Sequence, residues 1–162
     1  MKIQIKKQTP PQAQENNSVR IQVKKLKANA NLPTRGSSYA AGYDLYACLE
    51  EAVTVEAGAT VKIGTGLAIA VPEGYFGAIF ARSGLAAKEG LRPANCVGVA
   101  DSDYRGEYIV ALHNDSPAAR TVTPGERIAQ LVIMPFLPVT FEETDNLEET
   151  ERGEGGFGST GK

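Results

Sequence analysis

An all-β domain is what this sequence predicts, and three observations carry that expectation. Short runs of apolar and β-branched residues follow one another closely, glycine- or proline-containing turns separate them, and no 3.6-residue apolar stripe lasts three turns in the middle of the chain. With 162 residues, 42% of them apolar or aromatic, the chain suits one domain with a real core. The architecture expected is a jelly-roll sandwich or a small barrel, and pattern alone does not choose between them.

The elements run as follows. "VRIQVKK" (19–25) alternates apolar and polar side chains at period two, as a half-buried strand does. After the connector "NLPTRGSSYAAG" (31–42), strand-like pieces come at 43–47, 59–63, 66–71 and 75–81, broken by glycines or Pro-Glu-Gly. Later pieces lie at 96–100, 107–113 and 127–136, with "NDSP" (114–117) and "TPGE" (123–126) as turns. Two short helical stretches are expected, at "SGLAAKEG" (83–90) and around "DNLEE" (145–149). "RIAQLVIMPF" (127–136) is long for a strand here, so it is either central core or cover for a subunit interface.

Charge excludes some functions. The net charge of −2 provides no polycationic field, so stable nucleic-acid binding is not expected. Residues 1–27 hold seven of the seventeen basic residues, and 142–154 hold seven acids. Residues 1–18 read as a polar, basic, disordered leader, 19–141 as the core, and 142–162 as an acidic linker with a glycine-rich end. Cys48 and Cys96 lack metal-binding spacing and read as reduced thiols, while the single histidine, His113, reads as structural. With no secretory h-region and no run near the roughly 20 apolar residues of a membrane span, a soluble intracellular protein is expected. Cytoplasm and nucleus are not distinguished.

Several stretches carry chemistry beside a plainer reading. The ending "RGEGGFGSTGK" (152–162) contains five glycines, and Gly156 to Lys162 imitates a P-loop, but no strand precedes it and no magnesium-holding Ser or Thr follows Lys162. What survives is flexible backbone whose N–H groups can face an anion, with Arg152, Ser159 and Thr160 adding polar contacts. Phe157 either docks on the protein's own core or stacks on a planar ligand. Arg82-Ser83-Gly84 offers a guanidinium, a hydroxyl and an open N–H, suited to phosphate oxygens and equally to a strand end with a serine cap. In "GVADSDYRGEY" (98–108), Asp101 or Asp103 reads as a general base and Tyr104 as a platform for a sugar or base, or the whole as a hairpin turn. Asp44, in an apolar strand, needs a partner: a structural salt bridge or a place near a metal.

Taken in order, "AGYDLYA", "ARSGLA", "NCVGVADSDYRGE", "PGERIAQLV" and "RGEGGFGSTG" resemble all five motifs of the trimeric dUTPase family, over about Val19 to Gly161. The resemblance implies a distorted jelly roll of β-clip type, assembled as a homotrimer with active sites shared between subunits. It implies hydrolysis of dUTP to dUMP and pyrophosphate with Mg2+, limiting uracil in DNA and supplying dUMP. Carried over motif by motif, Asp101 activates the attacking water; Arg82, Ser83, Gly84 and Gln130 hold the phosphates; Asp44 meets magnesium through water. Asn95, Gly98 and Val99 form the uracil pocket in a hairpin, and Tyr104 lies under the deoxyribose. The tail is a strap from a neighbouring subunit, with Phe157 over the base and Arg152, Gly158, Ser159 and Thr160 closing the site. Ala100 replaces a bulkier aliphatic residue common in the family, and "AAGYDLYA" leans toward eukaryotic or viral members. The rival readings are a dCTP deaminase-like or bifunctional enzyme and a non-catalytic nucleotide binder.

Overall fold

The computed structural model describes residues 19–156. Strands β1 (Gln22–Lys25), β2 (Thr34–Arg35), β3 (Tyr43–Tyr46), β4 (Val53–Val55), β5 (Thr60–Gly64), β6 (Leu67–Ala70) and β7 (Tyr75–Phe80) precede a single π-helical turn, α1 (Leu85–Glu89). Then come β8 (Leu91–Pro93), β9 (Val97–Ala100), β10 (Ile109–Asn114), β11 (Arg120–Val122) and β12 (Arg127–Pro135). Every strand pairing is antiparallel. The result is an all-β, strand-rich sandwich: a five-stranded sheet β2-β3-β12-β7-β9, a three-stranded sheet β5-β10-β8, and the ribbons β1-β6 and β11-β4.

β12 sits in the middle of the largest sheet because it is long enough to pair along both edges. Gln130 faces Asp44 on β3 and Phe80 on β7. Its first half is core, with Ile128 and Ala129 fully buried, while Met134 and Pro135 reach the surface. The pairing with β3 slips by one between Arg127 and Ala129, which is a β-bulge. Leu45, Ile63, Leu67, Ile69, Leu91, Leu112 and Ile128 fill the interior together with Tyr108, each at most 2% exposed. Such side chains contribute roughly 1.5–3 kcal/mol apiece on burial. One turn requires glycine: Gly66 has φ +67, and a Cβ there would lie 2.7 Å from Cys48 Sγ and 2.8 Å from the Ala30 methyl.

Two expectations are corrected. The segment 145–149 contains no helix, for only Leu147 is apolar there and it is 87% exposed, leaving nothing to hold an amphipathic turn against the core. Residues 95–104 do not form a hairpin either. β9 pairs with β7 in one sheet while β10 pairs with β5 and β8 in another, so the Asp- and Gly-containing link 101–108 carries the chain between sheets. From Phe136 onward the chain has no strand or helix among the described residues, and it leaves Leu137, Val139 and Phe141 81%, 61% and 94% exposed.

Candidate active site

Two groups of the sequence-predicted residues stand at two places on the five-stranded sheet. The first centres on Asp44, whose side chain is 13% exposed on β3. A carboxylate so withdrawn from water needs cations or donors, and it has two. Arg82 Nε donates to Oδ1 at 2.8 Å, and Arg127 Nη1 donates to Oδ2 at 3.3 Å. Arg82 also donates through Nη1 to the Arg127 carbonyl at 3.3 Å, so the three residues interlock. Asp44 is thus ion-paired within the chain, and the three groups together carry a charge of +1.

Around it lie the other phosphate candidates. Gln130 Nε2 donates to the Ala81 carbonyl at 2.9 Å, which fixes the amide beside the strand end that leads into Arg82. Gly42 makes room for that side chain, since a Cβ there would be 3.2 Å from Gln130 Cδ. Ser83 and Gly84 are exposed. Gly84 has right-handed backbone and, among the described residues, no atom within 4 Å of where a Cβ would stand, so they make no demand for glycine there. A cavity of about 320 Å3 opens here, lined by Arg82, Gly84, Leu85, Lys88, Glu89, Glu126 and Arg127. Its lining carries three cations and two carboxylates, and with Asp44, which pairs two of those cations, the charges balance. A larger cavity of about 700 Å3, between β1, β3, β6 and β12, has only apolar, aromatic and proline side chains in its lining.

The second group follows β9. Cys96 has φ +56, and the Val97 N–H donates back to the Asn95 carbonyl at 2.5 Å, a tight left-handed turn that leaves Asn95 exposed at the sheet edge. Gly98 is buried against β7, where a Cβ would press to 3.1 Å from Ile79 Cβ, and Val99 points outward at 65% exposure. Asp101 follows, exposed, its carbonyl accepting from the Tyr104 N–H at 3.1 Å. Arg105 Nη1 ties the same turn by donating to the Ser102 and Tyr104 carbonyls. Tyr104 is held by its hydroxyl, which donates to the Glu107 carbonyl at 3.0 Å, and its ring tilts against Tyr108 with centroids 6.0 Å apart. Tyr108 is buried, and burial foremost, aided by Tyr104, pushes its phenol up to about 12.

These groups are apart within the chain. Phe80 faces Val97 and Gly77 faces Ala100, so Asp101 leaves β9 at the Gly77 end while Arg82 leaves β7 at the other. Asp101 falls opposite Phe76, so six residues of strand at about 3.4 Å each separate it from Arg82 by roughly 20 Å. Arg152 Nε donates to the Gly155 carbonyl at 2.8 Å, folded onto its own turn. Phe157, Gly158, Ser159 and Thr160 lie outside the described residues.

For a metal, no group of three or more His, Cys, Asp or Glu is arranged to hold one among the described residues. Asp44 has a guanidinium on each oxygen, yet a carboxylate has about four lone-pair positions, so it fits a water-mediated contact and not a protein-only cage. Arg127, Lys88 and Glu126 line the cavity beside Asp44 and were not picked out from the sequence; Arg127 lies inside "GERIAQ", from which only Gln130 was chosen. His113 is structural, bonded to Thr60 Oγ1 at 2.9 Å and to Asp115 at 3.3 Å, and both cysteines are free thiols.

An antiparallel β-sandwich with a guanidinium-flanked carboxylate beside an open, charge-lined cavity is a scaffold suited to polar ligands. The chain belongs to the dUTPase family, whose profile matches residues 28–161. It is 49% identical over 148 residues to a deoxyuridine 5'-triphosphate nucleotidohydrolase of Desulfitobacterium hafniense, covering 90% of this chain and 98% of that protein. It is 45% identical over 144 residues to one from Syntrophotalea carbinolica, covering 89% and 98%. Among solved structures, Staphylococcus bacteriophage 80alpha dUTPase with dUpNHpp is similar at 31% identity and a TM-score of 0.81, over 89% of this chain and 99% of that one. A mutant dUTPase from phage phi11 of S. aureus, described with a structural Mg(II) ion, matches at 26% identity and a TM-score of 0.73, over 81% and 100%. These relatives are bacterial and phage proteins.

Proposed function

We propose that this protein is a dUTP diphosphatase, hydrolysing dUTP to dUMP and pyrophosphate, and that its active sites are shared between the subunits of a homotrimer. The observation that carries the reading is the split described above. Asp44, Arg82, Gln130 and Arg127 gather at one end of the sheet, and Asp101 and Tyr104 at the other, so a triphosphate and its attacking water need elements from more than one chain. Family membership over residues 28–161 supports the reaction, and the exposed apolar segment after β12 supports assembly.

In the proposed site, uracil meets the β9 edge at Asn95, Gly98 and Val99. The Gly98 backbone suits a close approach because it carries no side chain, and outward-pointing Val99 crowds a larger base. Tyr104 would lie beneath the deoxyribose, where a ribose hydroxyl meets the ring instead of a hydrogen-bond partner. Asp101, exposed and without a side-chain hydrogen bond among the described residues, would accept a proton from the water attacking the α-phosphorus. Arg82, Ser83, Gly84 and Gln130 would take the phosphate oxygens and stabilise the charge that builds on the leaving pyrophosphate. Mg2+, when bound to the triphosphate, would neutralise it and fix its geometry, with Asp44 reaching its water shell. Residues 142–162 would close a neighbouring subunit's site, Arg152 and the 158–160 segment on phosphate and Phe157 over the base. Residues 1–18 stand outside this chemistry.

The test is a nucleotide panel of dUTP, dTTP, dCTP, UTP and dUDP with magnesium or chelator, products resolved by chromatography. Release of dUMP and pyrophosphate from dUTP alone, lost with chelator, is expected. Ammonia from dCTP, or dUTP binding without product, would replace the reading.

A further inference from the structure

We infer that Arg127 is a positioning residue for this reaction: a β-bulge at Ile128 aims it at Asp44, and it holds that carboxylate when Arg82 turns to the substrate's phosphates. The inference deepens the dUTPase reading and rests on it.

The geometry of β12 carries the first half. In a regular strand, residues three apart point to opposite faces. Arg127 and Gln130 are three apart, yet both serve the Asp44 end of the sheet. Between them the register against β3 slips: Arg127 pairs with Tyr46, Ala129 with Leu45 and Gln130 with Asp44. The extra residue is Ile128. It and Ala129 are adjacent, and both are fully buried, which strict alternation forbids in a strand with one buried face. The bulge thus turns two consecutive side chains into the core and returns Arg127 to the face that Gln130 and Asp44 occupy. Bulges commonly re-aim a side chain beside an active site. Without this one, Arg127 would point away from Asp44.

Charge carries the second half. Asp44 is mostly withdrawn from water and divides its two oxygens between two guanidiniums. Arg82 gives it Nε and gives Nη1 to the Arg127 carbonyl; its Nη2 has no hydrogen bond among the described residues. If Arg82 were Asp44's only cation, moving it to a phosphate would leave a largely buried carboxylate unpaired, a costly state. Arg127 removes that conflict. It stays on Oδ2 whether or not Arg82 leaves, and it turns a neutral pair into a three-residue cluster of net charge +1 beside the cavity that Arg82 and Arg127 line. Its own side chain is 51% exposed, so its placement comes from the bulge and from Asp44, not from being walled in.

The test compares wild type with Arg127→Met and Arg127→Lys, each also in an Asp44→Asn background. The readouts are kcat, KM for dUTP, Kd for dUpNHpp, inhibition by deoxyuridine and thermal midpoint. Loss of one charged contact predicts a rise in KM and in Kd for dUpNHpp of about ten- to a hundredfold in Arg127→Met. Deoxyuridine inhibition should be unchanged, because that ligand has no phosphate, and Arg127→Lys should recover part of the lost affinity. In the Asp44→Asn background Arg127→Met should add little, since the residue acts through Asp44. An unchanged KM in both single variants overturns the inference, as does an equally large effect in the Asp44→Asn background or a matching loss of deoxyuridine inhibition. A wild-type chain that does not turn over dUTP would overturn the dUTPase reading, and the inference with it.

Discussion

Gly106 gives the sharpest handle on the sugar selection proposed for Tyr104. Its backbone lies outside the left-handed region, so alanine fits the main chain. The obstacle is Tyr104: a Cβ on residue 106 would overlap the phenol oxygen and stand 2.6 Å from Cζ and 2.9 Å from Cε2. Carbon atoms in contact prefer about 3.5–4.0 Å, so the ring must leave. It is 44% exposed and can swing into water, which keeps the cost to the fold small. The hydrogen bond to the Glu107 carbonyl goes, worth about 1 kcal/mol. Part of the edge contact with Tyr108 goes too, worth at most ~1.5 kcal/mol. Gly106→Ala should therefore lower the thermal midpoint by at most about 10 °C, at about 2–4 °C per kcal/mol for a chain of this size. Selectivity should suffer more. With the platform displaced, the ratio of kcat/KM for dUTP over UTP should fall at least about tenfold, the equivalent of ~1.4 kcal/mol. Steady-state kinetics on both nucleotides, with calorimetry on the same samples, decide the matter. A midpoint drop with the ratio intact would mean that Tyr104 moved and does not govern the sugar, and the reasoning fails.

Further outcomes follow from other parts of the molecule. Asp101→Asn should retain dUpNHpp binding and lose turnover about 10^2- to 10^4-fold, the usual scale of a general base; near-normal turnover would free Asp101 of that role. Truncation after Glu151 should leave the thermal midpoint unchanged and remove most activity, and full activity would end the strap proposal. Tyr108 sets an alkaline limit. An unfolded tyrosine releases its proton near pH 10, the buried one only near 12, so the stability it contributes is whole below pH 10 and lost as the pH climbs through 12. Denaturant titrations between pH 9 and 12 should show that loss in wild type and a shallower one in Tyr108→Phe.

How far the sequence spoke depends on length and on distance along the chain. β7 and β12 were legible because six and nine residues suffice to show a strand pattern. β4, β8 and β11 were not, because three residues set no period. β8 even contains Pro93, which cannot donate to a ladder and is tolerated because the strand lies at a sheet edge. The hairpin expected around Asp101 failed for a different reason: Asp and Gly announce a turn without saying which strands it joins. At the site, burial of Asp44 and its need for a partner could be read locally. That its partners are Arg82, 38 residues on, and Arg127, 83 residues on, could not. The bulge that aims Arg127 was hidden inside an apolar run, where two adjacent inward side chains look like any others.

The separation of Asp101 from Arg82 along β7 and β9 has a genetic consequence. In the proposed trimer a lesion at one end of the sheet and a lesion at the other spoil different sites when they sit on the same chain. Carried by different chains they can fall together in one site and leave the remaining sites intact. Two inactive proteins, Asp101→Asn and Arg82→Ala, would then regain activity on being unfolded and reassembled together. Heredity at this locus would follow the company a chain keeps as much as its own sequence.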